Sequence, residues 1–391
     1  MSDVRDPPFH TFDDDPPTAW KTIVMTSIDE IKQQTPPMVT KYAERSNTRA
    51  FVQILNTYIP FFGLFYLAME SLDNSYWLAA AYMFLISAFI VRIFMIMHDC
   101  GHKSLFRTQL LNSIFGFFSG VFCGMPGYVW AQHHNYHHST NGNWSKYRGP
   151  LSTLSIDEFE KLSLAKQRIY QYSRHLLMAP VGAFLYFIFN PRFNWALGTL
   201  KFLVYLVVTK LKNLRSSIMD ISRNYESRYW KDGAEYWHMF GNNVVLLSIW
   251  VAASWYFGAA TFFTVYLITL TAAGAVGIII FTIQHNFEDS YAADDAHWDY
   301  FEGSIHGTSY LTLPRIVNWF SADIAYHHIH HLSSRIPNYN LEACHNEFAG
   351  LFGEVKRIRL ADIPNAFKHI LWDNKNLKII SIKEYRAQHT A

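Results

Sequence analysis

Ten imidazoles fall in three short runs: His98-Asp-Cys-Gly-His102, His133-His134-Asn-Tyr-His137-His138 and His327-His328-Ile-His330-His331. On a helix, residues three and four apart share one face. That spacing puts His98 with His102, His134 with His137 and His138, and His327 with His330 and His331. His133 and His328 are extra to it. Two, three and three make eight nitrogen donors, more than one tetrahedral zinc site takes. Such a set could hold two metals with open positions. Imidazole suits iron, copper, nickel and zinc alike, so ligand type alone does not choose the metal. Soluble di-iron bundles rely on carboxylates and Glu-x-x-His pairs, whereas this chain uses nitrogen almost alone. A lone histidine is ordinarily a core or surface residue. Eight at helical metal-binding spacing are far harder to place that way.

The remaining composition narrows the setting. Half of the 391 residues are hydrophobic and 17% are aromatic, but only 16% are charged. Soluble domains carry about 25% charge, so much of this surface is expected to face something other than water. The net charge of +2 gives no basic field for nucleic acid. Cys100, Cys123 and Cys344 are far apart and form no CxxC, so they suggest neither a disulfide framework nor a thiolate metal site.

The elements that must position the histidines follow from the apolar stretches. Residues 1–20 are acidic and proline-rich, with no basic or apolar signal-peptide region, and are expected to be a disordered leader. Ser27-Ile-Asp-Glu30 reads as a capping box opening a short helix that Pro36-Pro37 stops. Residues 21–391 are then one integral-membrane domain. Spans of about 20 apolar residues are expected at 51–69, 76–97, 237–257 and 262–283. They form two hairpins of an all-α membrane protein. The stretch 110–129 is apolar but rich in Gly and Ser, and it separates two histidine runs that must share a side. A re-entrant or interfacial segment fits it. The stretches 175–189 and 195–208 are short and read as interfacial helices. A helical cap, 98–236 and 284–391, carries the histidines. The outer links, 70–75 and 258–261, hold no Lys or Arg, so the positive-inside rule puts both termini and all three histidine runs on the cytoplasmic side.

The sequences HDCGHKSLF at 98–106, HHNYHHSTNG at 133–142, QHNFEDSY at 284–291 and HHIHHLSSRIPNYNL at 327–341 together resemble the membrane fatty-acid desaturase family. Within it they look most like the delta-12/omega-6 acyl desaturases. The resemblance extends from about residue 31 to 349. It implies a non-haem centre of two iron ions held by His98, His102, His134, His137, His138, His327, His330 and His331. It adds His285 as a ninth ligand; a capping or supporting role is the alternative for that residue. The acyl-CoA branch of the family has an asparagine four residues before this histidine. Phe281 stands there instead, so no asparagine contact carries over. Asp99, Glu288, Asp289 and Asp323 lie beside ligands and could fix their tautomers, or serve as caps and surface ion pairs.

The activity so implied is O2-dependent desaturation of a fatty-acyl chain, carried on lipid, CoA or a carrier protein. No flavin, haem or iron–sulfur motif is visible, so electrons come from a partner such as ferredoxin or a small haem cytochrome. Lys103, Arg107, Lys146 and Arg148 could dock an acidic donor, although the ordinary positive-inside flank is sufficient reason for them and the preferred one. Trp130, Tyr136, Trp144, Tyr310 and Trp319 lie near the runs and are expected to be core packing. The nearest rivals are a hydroxylase, epoxygenase or acetylenase on the same scaffold. A histidine-rich metal transporter is a rival of another class, but transporters place ionisable groups at mid-membrane, and these clusters flank the spans.

Overall fold

The computed structural model describes residues 27–149 and 151–389; the leader expected at 1–20 lies outside them. Ser27 opens α1 (Ile28–Tyr42) by accepting a hydrogen bond from the Glu30 amide. α1 does not stop at Pro36-Pro37 as expected but continues to Tyr42. Proline removes a backbone donor and crowds the preceding turn. Against that, Ile31 and Met38 bury one face of α1 among Ile305, Ile329, Leu332 and Leu341, and this packing outweighs the local penalty.

Two apolar hairpins form the main bundle. The first is α2 (Asn47–Ser71) with α3 (Tyr76–Gly101), each opened by a serine cap, Ser46 and Ser75. After α4 (Gln109–Phe122), α5 (Gly127–Thr140) and α6 (Leu176–Lys212) comes the second hairpin, α7 (Gly233–Phe257) and α8 (Ala259–Ile283). They turn on Gly258, whose φ of +85° suits glycine. Trp77 and Trp255, both 88% exposed, sit at the hairpin ends away from the histidines. Large bare aromatics there fit the boundary between lipid tails and water.

Helix counting departs from the sequence reading. Among the described residues five helices, α2, α3, α6, α7 and α8, are long and apolar enough to cross a membrane, where four were expected. The difference is α6. The two short interfacial helices expected at 175–189 and 195–208 are one helical run of 37 residues. A π-helical stretch, Phe184–Phe189, precedes Pro191 and shifts the hydrogen-bond register there. The Phe187 carbonyl accepts from the Arg192 side chain at 3.2 Å. The proline therefore leaves no orphaned carbonyl at this point.

α4 and α5 meet at an angle of 102°. The chain leaves the histidine cluster at His102 and is back in it at His134, so this bent pair returns to the level it left. Its tip is satisfied by side chains. Arg192 donates to the Gly124 carbonyl at 2.7 Å, and Asn242 donates to that of Met125 at 3.0 Å. The fold is also not purely helical. Among the described residues, α9 (His327–Leu332), α10 (Asn338–Glu347) and four short strands lie beyond α8, and a fifth strand precedes α6. β1 (Leu154–Ser155) pairs parallel with β4 (His369–Asp373), which pairs antiparallel with β5 (Lys378–Ser381). β2 (Ser309–Thr312) pairs parallel with β3 (Lys356–Arg359). The β1–β4 and β2–β3 pairings join segments more than 40 residues apart, whereas β4 and β5 are a local hairpin.

The bend depends on close backbone approach. A Cβ on Gly120 would lie 2.6 Å from the Met125 carbonyl oxygen and 2.9 Å from the Gly127 nitrogen, both unyielding backbone. Gly120→Ala is expected to destabilise the protein by about 1–3 kcal/mol, the usual range for overpacking. A lowered denaturation midpoint in detergent checks this, and an unchanged midpoint would show that the approach is not limiting.

Candidate metal centre

Four helix-borne segments converge. The last turn of α3 supplies His98, and His102 caps that helix. α5 supplies His134, His137 and His138. His285 follows the end of α8, and the fully buried α9 supplies His327, His330 and His331. Their nitrogens form two groups, each with all its donor atoms within 4.8 Å of one another. One group holds His98, His102, His134, His138 and His330. The other holds His137, His285, His327 and His331. The structure thus brings together all nine residues named from the sequence. His138 stacks on His331 at 4.1 Å between centroids, so the two groups share a wall.

The ring orientations are those of a donor set. His134 and His138 approach Nε2 to Nε2 at 3.0 Å, His137 and His285 at 3.1 Å, and His327 and His285 at 2.9 Å. Two nitrogens bonded at about 2.1 Å to one metal, at right angles, lie about 3 Å apart. Both ring nitrogens of His102 and His331 are buried without a hydrogen-bond partner, as are Nδ1 of His137, His138 and His327 and Nε2 of His330. Two rings have their tautomer set from outside. His98 Nδ1 lies 2.8 Å from the Asp99 carboxylate, and His285 Nδ1 lies 3.2 Å from the Gly307 carbonyl. A proton on each Nδ1 leaves the Nε2 lone pair facing inward.

Burial disfavours the charged form of several donors. Burial pushes the His285 imidazole down to about 3, with the Gly307 carbonyl opposing. Burial, then neighbouring imidazoles, hold His102, His327, His330 and His331 well below the usual histidine value. Neutral imidazole is the form that binds metal. Buried nitrogens that converge and lack partners fit a metal site.

Other expectations sort cleanly. Among the four carboxylates considered as supports, Asp99 alone bonds a clustered histidine. Glu288 pairs with Lys356, Asp289 with Lys378, and Asp323 accepts from Asn318. His133 is exposed and belongs to neither group. His328 faces the other way, with its Nε2 3.1 Å from His345 Nδ1. Lys146 and Arg148 are engaged by Asp295 and Glu158. A cavity of about 750 Å³ reaches His98, His134, His137 and His327, between walls that include Ile90, Phe94, Met95, Ile280, Phe281 and Ile324. Of the five aromatics singled out, Trp130 lines it and stacks on His134 at 4.4 Å. Trp144 stacks on Trp372, Tyr310 on Tyr326, and Trp319 lies under Arg92.

Sequence reasoning did not reach the work of the Asn338-Tyr-Asn340 segment. The Asn338 amide donates to the second Asp99 oxygen at 2.9 Å. The Tyr339 hydroxyl accepts from the Ser46 amide and donates to the Leu105 carbonyl. Asn340 donates to the Tyr42 carbonyl. This segment clasps α10 to α1, α2 and α3 and does not line the cavity. Its signal was present in the motif, but its partners are some 240–300 residues away in sequence.

The comparisons with known proteins agree with this site. A family model described as fatty acid desaturase matches residues 75–359. A fatty acid desaturase of Bacillus subtilis is 31% identical over 357 residues, covering 90% of this chain and 91% of the relative. Two proteins of Synechocystis sp. are more distant. An sn-1 oleoyl-lipid 12-desaturase is 24% identical, over 79% of this chain and 78% of its own. An sn-1 acyl-lipid omega-3 desaturase (ferredoxin) is 23% identical, over 72% and 70%. The chain belongs to the fatty acid desaturase family, and it is therefore an oxidoreductase.

Asp99 links one ring of the site to the clasp. Asp99→Asn keeps the size but removes the anion, and comparable supporting substitutions lower metal affinity about 10–100-fold. Metal retention under chelator titration is expected to fall in that range; retention equal to the parent protein would deny Asp99 a role at the site.

Proposed function

We propose that this protein uses O2 to introduce a double bond into a fatty-acyl chain, with delta-12/omega-6 regiochemistry, at two iron ions. The observation that carries the reading is the pair of convergent imidazole groups opening on one largely apolar cavity. His98, His102, His134, His138 and His330 would hold one ion, and His137, His285, His327 and His331 the other. With O2 and two electrons from outside, that centre would supply the oxidising power to take hydrogen from two adjacent unactivated methylenes, which no side chain can do alone. The delta-12 assignment leans on the oleoyl-lipid 12-desaturase among the relatives. Ferredoxin as donor leans on the omega-3 desaturase named for it; a small haem cytochrome is the other candidate.

The chain's own residues bind and orient. Ile90, Phe94, Met95, Ile280 and Ile324 offer the acyl chain a dry wall. Phe281 comes within 5.2 Å of the His137 ring and 5.3 Å of the His285 ring, centroid to centroid, and 6.3 Å of His134. It therefore screens members of both groups from the cavity and limits where a methylene can approach them. Phe281 also occupies the position where a polar side chain would bring water.

Residues 21–391 act as one membrane-embedded domain with four crossings, α2, α3, α7 and α8. The ends of α3 and α8 meet at the histidines, so each hairpin must return to the side on which it began. A full crossing by α6 would put the start of α7 on the wrong side. Phe202 of α6 packs against Tyr236 at the start of α7, as expected if α6 stays in one half of the bilayer. The positive-inside rule makes the histidine side cytoplasmic, together with both termini.

His134→Ala and His330→Ala should each abolish new olefin in host lipids analysed by gas chromatography–mass spectrometry, while membrane insertion persists. His133→Ala should retain it. Product surviving both of the first two changes would overturn the metal assignment. A hydroxyl or triple bond without new olefin would overturn desaturation in favour of the oxygen-inserting or acetylenic chemistries.

A further inference from the structure

We propose that the acyl chain enters sideways from the bilayer, through a seam between α6 and α8 at Gly182 and Gly277, while still esterified in a membrane phosphoglyceride. The inference rests on the desaturase reading and adds the carrier and the route.

Met178, Gly182 and Tyr186 of α6 and Gly274, Gly277 and Ile278 of α8 line the same cavity as the histidines. A Cβ on Gly277 would meet nothing within 4 Å, and one on Gly182 would meet only Ile278 Cδ1 at 3.3 Å. Two glycines thus leave the facing helices thin at one level. Met178 and Tyr186 of α6 are 40% and 47% exposed and also form cavity wall. A lateral opening at this level would join the lining to the lipid-facing surface. The π-helical stretch begins at Phe184, beside the seam; such widened turns recur at functional sites.

The cavity has a polar end where α6 begins. Ser152, Ser173, Arg174 and His175 line it. The Arg174 guanidinium is held by oxygens of Tyr170, Ser173, Leu151 and Ser152, and makes no ion pair among the described residues. Its Nε is buried without a partner. A cation held by neutral oxygens and the Tyr170 ring, with no anion beside it among the described residues, suits the phosphate of an amphiphile. The cavity therefore offers a cationic end followed by an apolar side opening into lipid. A phosphoglyceride matches both features at once, with its headgroup at Arg174 and one chain turned through the seam. A soluble thioester would use the polar end and leave the seam without purpose.

The test uses the full-length, iron-loaded protein in phosphatidylcholine liposomes. The probes are phosphatidylcholine with a diazirine in one acyl chain and, separately, a diazirine acyl-CoA. Labelled residues are mapped by mass spectrometry after irradiation, a readout independent of turnover. The phospholipid should label Phe94 and Met95 inside the cavity. Gly277→Phe should reduce that interior label to background, while label on the outer faces around Trp77 and Trp255 persists. Gly277→Leu, with a smaller side chain, carries the test if the Phe variant loses its melting transition. Interior label from acyl-CoA alone, or interior phospholipid label unchanged in both variants, would overturn the proposal. Interior phospholipid label without O2-dependent oxidation would uphold the route and sink the desaturase reading instead.

Discussion

Nine imidazoles, eight of them buried, must lie within reach of one another with their lone pairs turned inward. Each buried polar atom without a partner costs about 1–3 kcal/mol, and eight ring nitrogens of the nine clustered histidines are in that state. Hydrogen bonding within the protein could have satisfied them, but here the rings face each other instead. Coordination of a bound metal would offset that penalty for the nitrogens that face the cluster, and its free energy would then become part of the folding free energy. In His137, His138 and His327 the converging atom is Nε2, and the unpartnered one is Nδ1. The cluster's geometry requires the ends of α3, α5, α8 and α9 to arrive at one level. The hairpins, the bent pair α4–α5 and the clasp at Asn338 each serve that requirement.

The membrane imposes the second constraint. Backbone groups that leave a helix inside the hydrocarbon must find partners in the protein. The α4–α5 tip does so through Arg192 and Asn242. Arg192 also takes the Phe187 carbonyl that Pro191 would otherwise leave bare. One guanidinium therefore ties the bent pair to α6 and lets α6 pass through a proline. Desolvation makes such a buried cation expensive, and carbonyls and amides compensate it here. The arrangement holds α5, and with it three of the nine rings, at a fixed depth.

What could be read from the sequence was local. The spacing of His134, His137 and His138 is written within five residues, and so is the face they share. The apolar lengths of α2, α3, α7 and α8 are written within about 20 each. His285 stands alone between Gln284 and Asn286, and spacing could not single it out; the resemblance of QHNFEDSY did. Elements decided by distant partners were misread. α1 runs through Pro36-Pro37 because Ile31 and Met38 pack on residues near 305–341. α6 is continuous because a side chain and a change of helical register absorb Pro191. The strands were missed because β1 has two residues and its partner β4 lies over 200 positions away. Asp99 was one of four equal candidates until the fold placed Asn338 against its second oxygen.

The position of Phe281 bears on how an apolar cavity can adjoin so polar a cluster. Polar interactions strengthen as water is excluded, so a dry approach favours tight coordination. A polar residue at 281 would recruit water between the chain and the rings; the phenyl edge against His137 and His285 does the reverse. Phe94 and Trp130, packed edge to face 5.1 Å apart, extend the same screen toward α3 and α5. Trp130 meanwhile stacks on His134. Aromatic surface thus replaces solvent on the cavity side of the histidines, while Asp99 and the Gly307 carbonyl replace it on the far side. At His98 and His285 a dry face toward the chain and a hydrogen-bonded N–H on the far side let one ring meet both demands.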